Sequence, residues 1–197
     1  VQTELAMLLS ELGHAPDALK LVNHAYEIRT RLVPGPHTVV ASATSARASI
    51  HQELGEYAEA ERLYFEALAM QREISGDEHP RVAILHTHIA DLFKFTNRLE
   101  EGLDHLEKAL AINLKALGPD HPQLDNDYFG QAQLLENMGE FAAAEAIFHK
   151  ILERDRARYD EPHPWVALDL SSIASVVSSQ GRFEEAAQLF GEALAQQ

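Results

Sequence analysis

The sequence offers 11 histidines and 31 aspartates and glutamates, the raw material of metal sites and acid–base pairs. Four of the histidines, His37, His79, His121 and His163, recur every 42 residues, and three of them precede a proline (Pro80, Pro122, Pro164). Zinc ligands sit about 2 Å from one ion, whereas matched positions in stacked helical repeats lie on the order of 10 Å apart. The ladder therefore cannot share a metal. It reads instead as helix capping, because proline is favoured in the first helical position and a polar side chain before it can accept from free backbone N–H groups. His86 and His88 are two residues apart, as are His51 and Glu53, so each pair faces different sides of a helix and forms no chelate or dyad. His105 stands where other repeats carry an apolar residue, either as a satisfied core histidine or as a partly exposed one.

Catalytic signatures are missing. The sequence has no Walker loop, no G-x-G-x-x-G, no H-E-x-x-H and no G-x-S-x-G. Glu56, Glu59, Glu61, Glu100, Glu101, Glu184 and Glu185 cluster at or beside helix starts, where the helix dipole favours negative charge and water solvates the face. No enzyme activity, cofactor or metal is expected.

Composition narrows the class. The 197 residues are 46% apolar and contain no cysteine, which fits a folded chain without disulfides. With 16 basic against 31 acidic residues the formal charge is −15, which disfavours nucleic acid and anionic membranes as partners. No apolar run reaches the roughly 18 residues of a spanning helix. No leader segment is recognisable, and a cytoplasmic location is expected.

Positioning comes from a repeat. Gly13, Gly55, Gly139 and Gly181 share the 42-residue spacing, and Asn97 fills the missing slot. Asparagine is the usual substitute for glycine where the backbone turns left-handed. Ala18, Ala60, Ala144 and Ala186 keep the same register, with Gly102 between them, and so do Ala25, Ala67, Ala109 and Ala193. Apolar spacing of three and four on either side of each Gly or Asn predicts helices over 1–12, 15–33, 38–54, 57–75, 80–96, 99–117, 122–138, 141–159, 164–180 and 183–197. No strand pattern is present.

These units resemble tetratricopeptide repeats. The family's small residue of the first helix falls on Ala48, Ala90, Ala132 and Ala174, and its large apolar residue of the second helix on Val22, Tyr64, Leu106, Phe148 and Phe190. The usual period is 34; the 42-residue unit with His-Pro before the first helix resembles the kinesin light chain subclass. The resemblance implies an all-α fold, a right-handed α-solenoid of about ten antiparallel helices, as one domain over 1–197. Its repeats would be 1–36 (partial), 37–78, 79–120, 121–162 and 163–197. The first repeat lacks its helix start and the last helix lacks a polar cap, so a longer parent protein or an end packed on a neighbour is expected.

In this family the first helices line a concave groove that binds peptides or helices. The matching positions are Thr3, Met7, Ser10 and Glu11; then Ser42, Ser45, Ser49, Gln52 and Glu53; then Ile84, Thr87, His88, Asp91, Lys94 and Phe95; then Asn126, Phe129, Gln133, Glu136 and Asn137; then Leu168, Ser171, Ser175, Ser178 and Ser179. Phe95 and Phe129 are candidate apolar anchors, the alternative being that both rings pack on neighbouring helices. The serine track either offers hydrogen bonds to a ligand or is simply solvated. Lys94, Arg98 and Arg182 are the basic groups near this face, and Arg47 and Gln131 replace apolar residues and are expected to make polar contacts between repeats. The paired asparagines that hold cargo in kinesin light chains are replaced here by Ser45-Ala46, Thr87-His88, Phe129-Gly130 and Ser171-Ser172, so only the generic scaffold role carries over. The expected function is a protein-interaction scaffold with a peptide or partner domain in the groove. The alternative is a self-assembling or regulatory segment of a larger signalling protein, associating through its uncapped ends.

Overall fold

The computed structural model describes residues 5, 6, 8, 9 and 12–196. The groove positions Thr3, Met7, Ser10 and Glu11 lie outside the described residues, as do most of the expected first helix and Gln197. Among the described residues there are nine complete helices and no strand: α1 (Ala15–Leu32), α2 (Thr38–Glu53), α3 (Tyr57–Ser75), α4 (Pro80–Phe95), α5 (Leu99–Leu117), α6 (Gln123–Asn137), α7 (Phe141–Arg158), α8 (Pro164–Ser179) and α9 (Phe183–Ala195). Leu5, Ala6, Leu8 and Leu9 are also helical. The chain divides into two compact units, Val1–Gly118 and Pro119–Gln197.

The histidine ladder caps helices. His37, His79, His121 and His163 accept through Nδ1 from the backbone N–H groups of Val39, Arg81, Gln123 and Trp165 at 3.3, 3.1, 3.2 and 3.2 Å. Each fills one orphan donor of a first turn. The intra-repeat turns close alike. Glu56, Arg98, Glu140 and Arg182 donate their backbone N–H groups to His51, Phe93, Leu135 and Val177, the bond that ends a helix in a Schellman turn. This turn demands a left-handed residue, supplied by Gly139 at φ 81° and, in the odd repeat, by Asn97 at φ 59°.

In the first unit one core joins Ala48 of α2, Leu63, Tyr64 and Leu68 of α3, and Leu85, Ile89, Leu92 and Phe93 of α4. A second joins Ala6, Ala18, Val22, Ala46 and Ile50. The second unit buries Leu124, Phe148, Leu152, Leu170 and Ile173. The alanine ladders are the contact points: Ala18, Ala60, Ala144, Ala48, Ala132 and Ala174 are all fully buried, which lets helix axes approach closely. Arg47 donates to Asn23 at 2.7 Å and lies over the Tyr26 ring, so the polar contact expected between repeats joins α2 to α1. Arg98 and Arg182 make matching bridges, to Glu61 and Glu101 in the first unit and to Glu145 and Glu185 in the second. These pairs are partly exposed and contribute little each.

Candidate functional site

In the first unit the first helices α2 and α4 enclose a cavity of about 270 Å³. Its lining comes from Ala41, Ser42, Ser45, Ala46 and Ser49 of α2, Gln71 of α3, and Arg81, Ile84, Leu85 and His88 of α4. Ser42, Ser45 and Ser49 lie on one helix face by their spacing of three and four, so the small side chains that open the space are a property of the sequence. Ser45 Oγ lies 3.3 Å from His88 Nδ1. Ser49 hydrogen-bonds the Tyr64 hydroxyl, whose pKa is pushed up to about 12 by burial. Burial also lowers the pKa of His88, which keeps its ring neutral. The Tyr64 and His88 rings are 5.7 Å apart. Ser45 and His88, and Ser49 and Tyr64, thus satisfy each other; Ala41, Ala46, Ile84 and Leu85 form the apolar wall, and Ser42, Gln71 and Arg81 complete the lining.

The other groove positions of this unit surround the cavity or lie beyond it. Thr87 donates back to the Ala83 carbonyl, Asp91 and Lys94 form a 3.6 Å ion pair, and the buried Gln52 Oε1 has no hydrogen-bond partner. Phe95 is 62% exposed, an unburied ring on an otherwise polar stretch. Arg81 and Leu85 were not among the expected site residues, although extending the Ile84–His88 stripe back one turn reaches Arg81. Gln71 belongs to a second helix, which the first-helix rule could not find.

In the second unit α6 and α8 carry the matching face. Phe129 is half-buried with its ring edge-on to Phe148 at 5.4 Å, so its role is partly internal packing. Asn126 and Asn137 are exposed, while Gln133 and Glu136 are half-buried. Ser175 Oγ donates to Glu136 at 3.4 Å. Ser171 and Ser179 donate to carbonyls of their own helix, which leaves hydroxyl oxygens but not their protons for a ligand. Ser178 is half-buried and Leu168 exposed on the same helix.

Two buried polar clusters lie off these faces. His86 Nδ1 of α4 is 2.9 Å from His105 Nδ1 of α5, with Phe93 and Phe65 edge-on to the His105 ring. His105 is thus a satisfied core histidine, and His86 points away from His88, which contacts α2. Burial lowers both pKa values, that of His86 to about 4. In the second unit Asp169 of α8 is 3% exposed and its Oδ2 has no hydrogen-bond partner. Arg158 bonds Asp125 and Asp155, and Arg154 bonds Asp125 and the carbonyls of Pro119 and His121, so both guanidinium groups are committed elsewhere. Burial first, then Asp155 and Asp125, push the Asp169 pKa up to about 7. Among the described residues no three histidine or acidic side chains are placed to hold a metal ion, and no helix is long and apolar enough to cross a membrane.

Three overlapping segments, residues 39–112, 90–148 and 128–197, match the tetratricopeptide repeat profile. The chain belongs to the tetratricopeptide repeat family. Its fold is accordingly the all-α solenoid class expected from the repeat. The kinesin light chain-like character of the repeats is supported by the "Protein KINESIN LIGHT CHAIN-RELATED 2" of Arabidopsis thaliana, 22% identical over 91% of this chain and 27% of that protein. It is supported also by the crystal structure of kinesin light chain TPR-like repeats from Podosopora anserina, with a TM-score of 0.86, 21% identity and coverage of 99% and 92% of the two chains. The human clustered mitochondria protein homolog is 25% identical over 89% of this chain, which spans 13% of that relative's length. The structure of a Rap protein complexed with competence and sporulation factor is similar at a TM-score of 0.74 and 15% identity, covering 97% of this chain and 51% of the other.

Proposed function

We propose that this tetratricopeptide module is a non-catalytic adaptor that binds an extended peptide segment along its first-helix faces. The observation that carries the reading is the cavity between α2 and α4, which lies at positions the family uses for ligands and combines small hydroxyl side chains with apolar walls. A related fold has been crystallised with competence and sporulation factor, and another, at a TM-score of 0.59, 18% identity and coverage of 100% and 84% of the two chains, is described as having an unusual peptide-binding site. Phe95 supplies an exposed apolar anchor about two turns beyond His88, the last cavity residue of α4. We place the adaptor in the cytoplasm, although one similar human protein is clustered mitochondria protein homolog and another the mitochondrial tetratricopeptide repeat protein 19, which is 25% identical over 52% of this chain and 26% of that protein.

Selection from a displayed library of random dodecapeptides tests this. The native chain should enrich related sequences with micromolar affinity, and Ser45→Leu, which fills the cavity, should weaken them at least about tenfold. Far-UV circular dichroism should show an unchanged helix content. A native chain that enriches nothing, or a Ser45→Leu variant that binds as well, refutes the groove reading.

A second reading is supported by α9. At matched repeat positions Tyr64 and Phe148 are 3% and 1% exposed, whereas Phe190 is 42% exposed, and Leu194 one turn on is 69% exposed. The bared stripe is the half of a repeat contact that receives another first helix. Self-association through it predicts a mass that rises with concentration in sedimentation and returns to monomer with Phe190→Glu. A mass that stays monomeric throughout counts against assembly.

A further inference from the structure

We infer that the contact between α7 and α8 is a proton latch: one proton on the Asp155–Asp169 pair keeps it closed, and loss of that proton frees the last helix pair, α8 with α9, from α7 while α6 and α7 stay joined.

Repeat register is the first observation. Asp155 corresponds to Gln71 and Asp169 to Leu85, both uncharged. Gln71 of α3 and Leu85 of α4 line one cavity in the first unit, so these two positions face each other where a second helix meets the first helix that follows. The matching contact of the second unit therefore brings two carboxyl groups together. Asp155 is 6% exposed and Asp169 3%, and Oδ2 of Asp169 has no hydrogen-bond partner. Two carboxylates taken out of water side by side do not both ionise without a countercharge.

The missing countercharge is the second observation. Arg158 bonds Asp125 and Asp155, and Arg154 bonds Asp125 and the carbonyls of Pro119 and His121. His163, the cap of α8, acts on Asp155. The acidic residues of α9, Glu184, Glu185 and Glu192, are exposed. An ionised Asp169 thus meets Asp155 and Asp125 while both guanidinium groups are engaged. Burial, with these two carboxylates behind it, accordingly pushes the Asp169 pKa up to about 7.

The bonding pattern decides where the strain is released. The bridges through Asp125 tie α6 to α7 and do not involve Asp169. α8 and α9 pack on each other. At the turn between them Gln180 and Arg182 donate to Glu145 of α7, whereas Asp155 and Asp169 lie near the opposite ends of α7 and α8, beside the 159–163 connection. The added charge therefore acts on the α7–α8 contact, and α8 leaves with α9. Opening parts Ser175 from Glu136, which divides the first-helix face of the second unit.

The sign follows from proton binding. The closed contact holds the Asp169 proton more tightly than the open one, so opening is rare near pH 5, increases up to about pH 7 and levels off above. Hydrogen exchange of the whole chain, read by mass spectrometry between pH 5 and pH 8 and divided by the intrinsic rate at each pH, tests the latch. Peptides of α8 and α9 should lose about tenfold or more in protection between pH 5 and pH 7, while those of α6 and α7 keep theirs. Asp169→Asn has no proton to lose and should keep α8 and α9 equally protected across the range. Native α8–α9 protection that does not change with pH, or an Asp169→Asn chain that loses it as the native chain does, overturns the latch. Equal loss in α6 and α7 would show the second unit melting as one body, which overturns the local opening.

Discussion

Replacing Asp169 with asparagine should stabilise the second unit at neutral and alkaline pH by on the order of 2–4 kcal/mol. The carboxyl is 3% exposed, its Oδ2 is unbonded, and its pKa is raised from 3.8 to about 7 by burial and by the neighbouring Asp155 and Asp125. Every charged group that faces the cluster is already allotted. Arg154 and Arg158 serve Asp125 and Asp155, and His163 acts on Asp155 rather than on Asp169. A carboxyl with a raised value binds its proton more tightly in the folded chain. That contribution to folding is whole below the ordinary value of 3.8 and is lost as pH rises through about 7. The asparagine variant carries no such titration, so its advantage over the native chain should be small near pH 4, should grow through neutrality and should level off above. Asp169→Leu should behave alike, because the same repeat position holds Leu85 in the first unit. Urea unfolding followed by the fluorescence of Trp165, the single tryptophan and a resident of α8, reports the right unit. Equal stabilities of native and asparagine chains across this range would show that Asp169 is not held as a buried acid.

The same comparison of repeat positions explains what the sequence could reveal and what it could not. Helix ends fell within a residue or two of the expected ones because glycine at φ above zero, proline at the first position and a histidine cap are local devices, each written in adjacent residues. Asn97 was legible for the same reason. The cavity depends instead on the distance between α2 and α4 and on a side chain from α3, and no local pattern encodes Gln71 beside Ser45. Register also shows why the two candidate anchors differ. Phe129 occupies the position that Ser45 holds two repeats earlier, and its ring takes up space against Phe148. Where the residue is serine, the space is left open. Phe95 has no such neighbour to pack on and stays exposed. The serine track illustrates a further limit: helical serines can satisfy themselves on the preceding turn, as Ser171 and Ser179 do, and composition does not distinguish that from readiness to bind.

The buried histidine pair should respond to pH with the opposite sign. His86 and His105 are 7% and 9% exposed, and the 2.9 Å between their Nδ1 atoms requires one ring to donate and the other to accept. Burial dominates both lowered values; His105, Lys108 and Arg72 lower His86 further and Asp104 opposes them, while Lys108 and Arg98 act on His105 against Asp104 and Glu101. A lowered histidine value means that the folded chain resists protonation. The stability it confers is therefore whole above the ordinary value of 6.5 and drains away as pH falls towards about 4. Acidification from pH 7 to about pH 5 should cost the first unit about 2 kcal/mol. The repeat itself supplies the control, since the matched positions are Leu170 for His86 and Leu63 for His105, both buried and apolar. His86→Leu alone strands one buried ring nitrogen and should cost about 1–3 kcal/mol at pH 7, whereas His86→Leu with His105→Leu removes both partners and should recover that loss. The double variant should also lose the acid sensitivity between pH 7 and about pH 5. Urea unfolding followed by far-UV circular dichroism at both pH values gives the full cycle. Additive losses at pH 7, or a double variant as acid-sensitive as the native chain, would mean that the two rings do not act as a pair and that the acid response of this unit comes from its surface carboxylates.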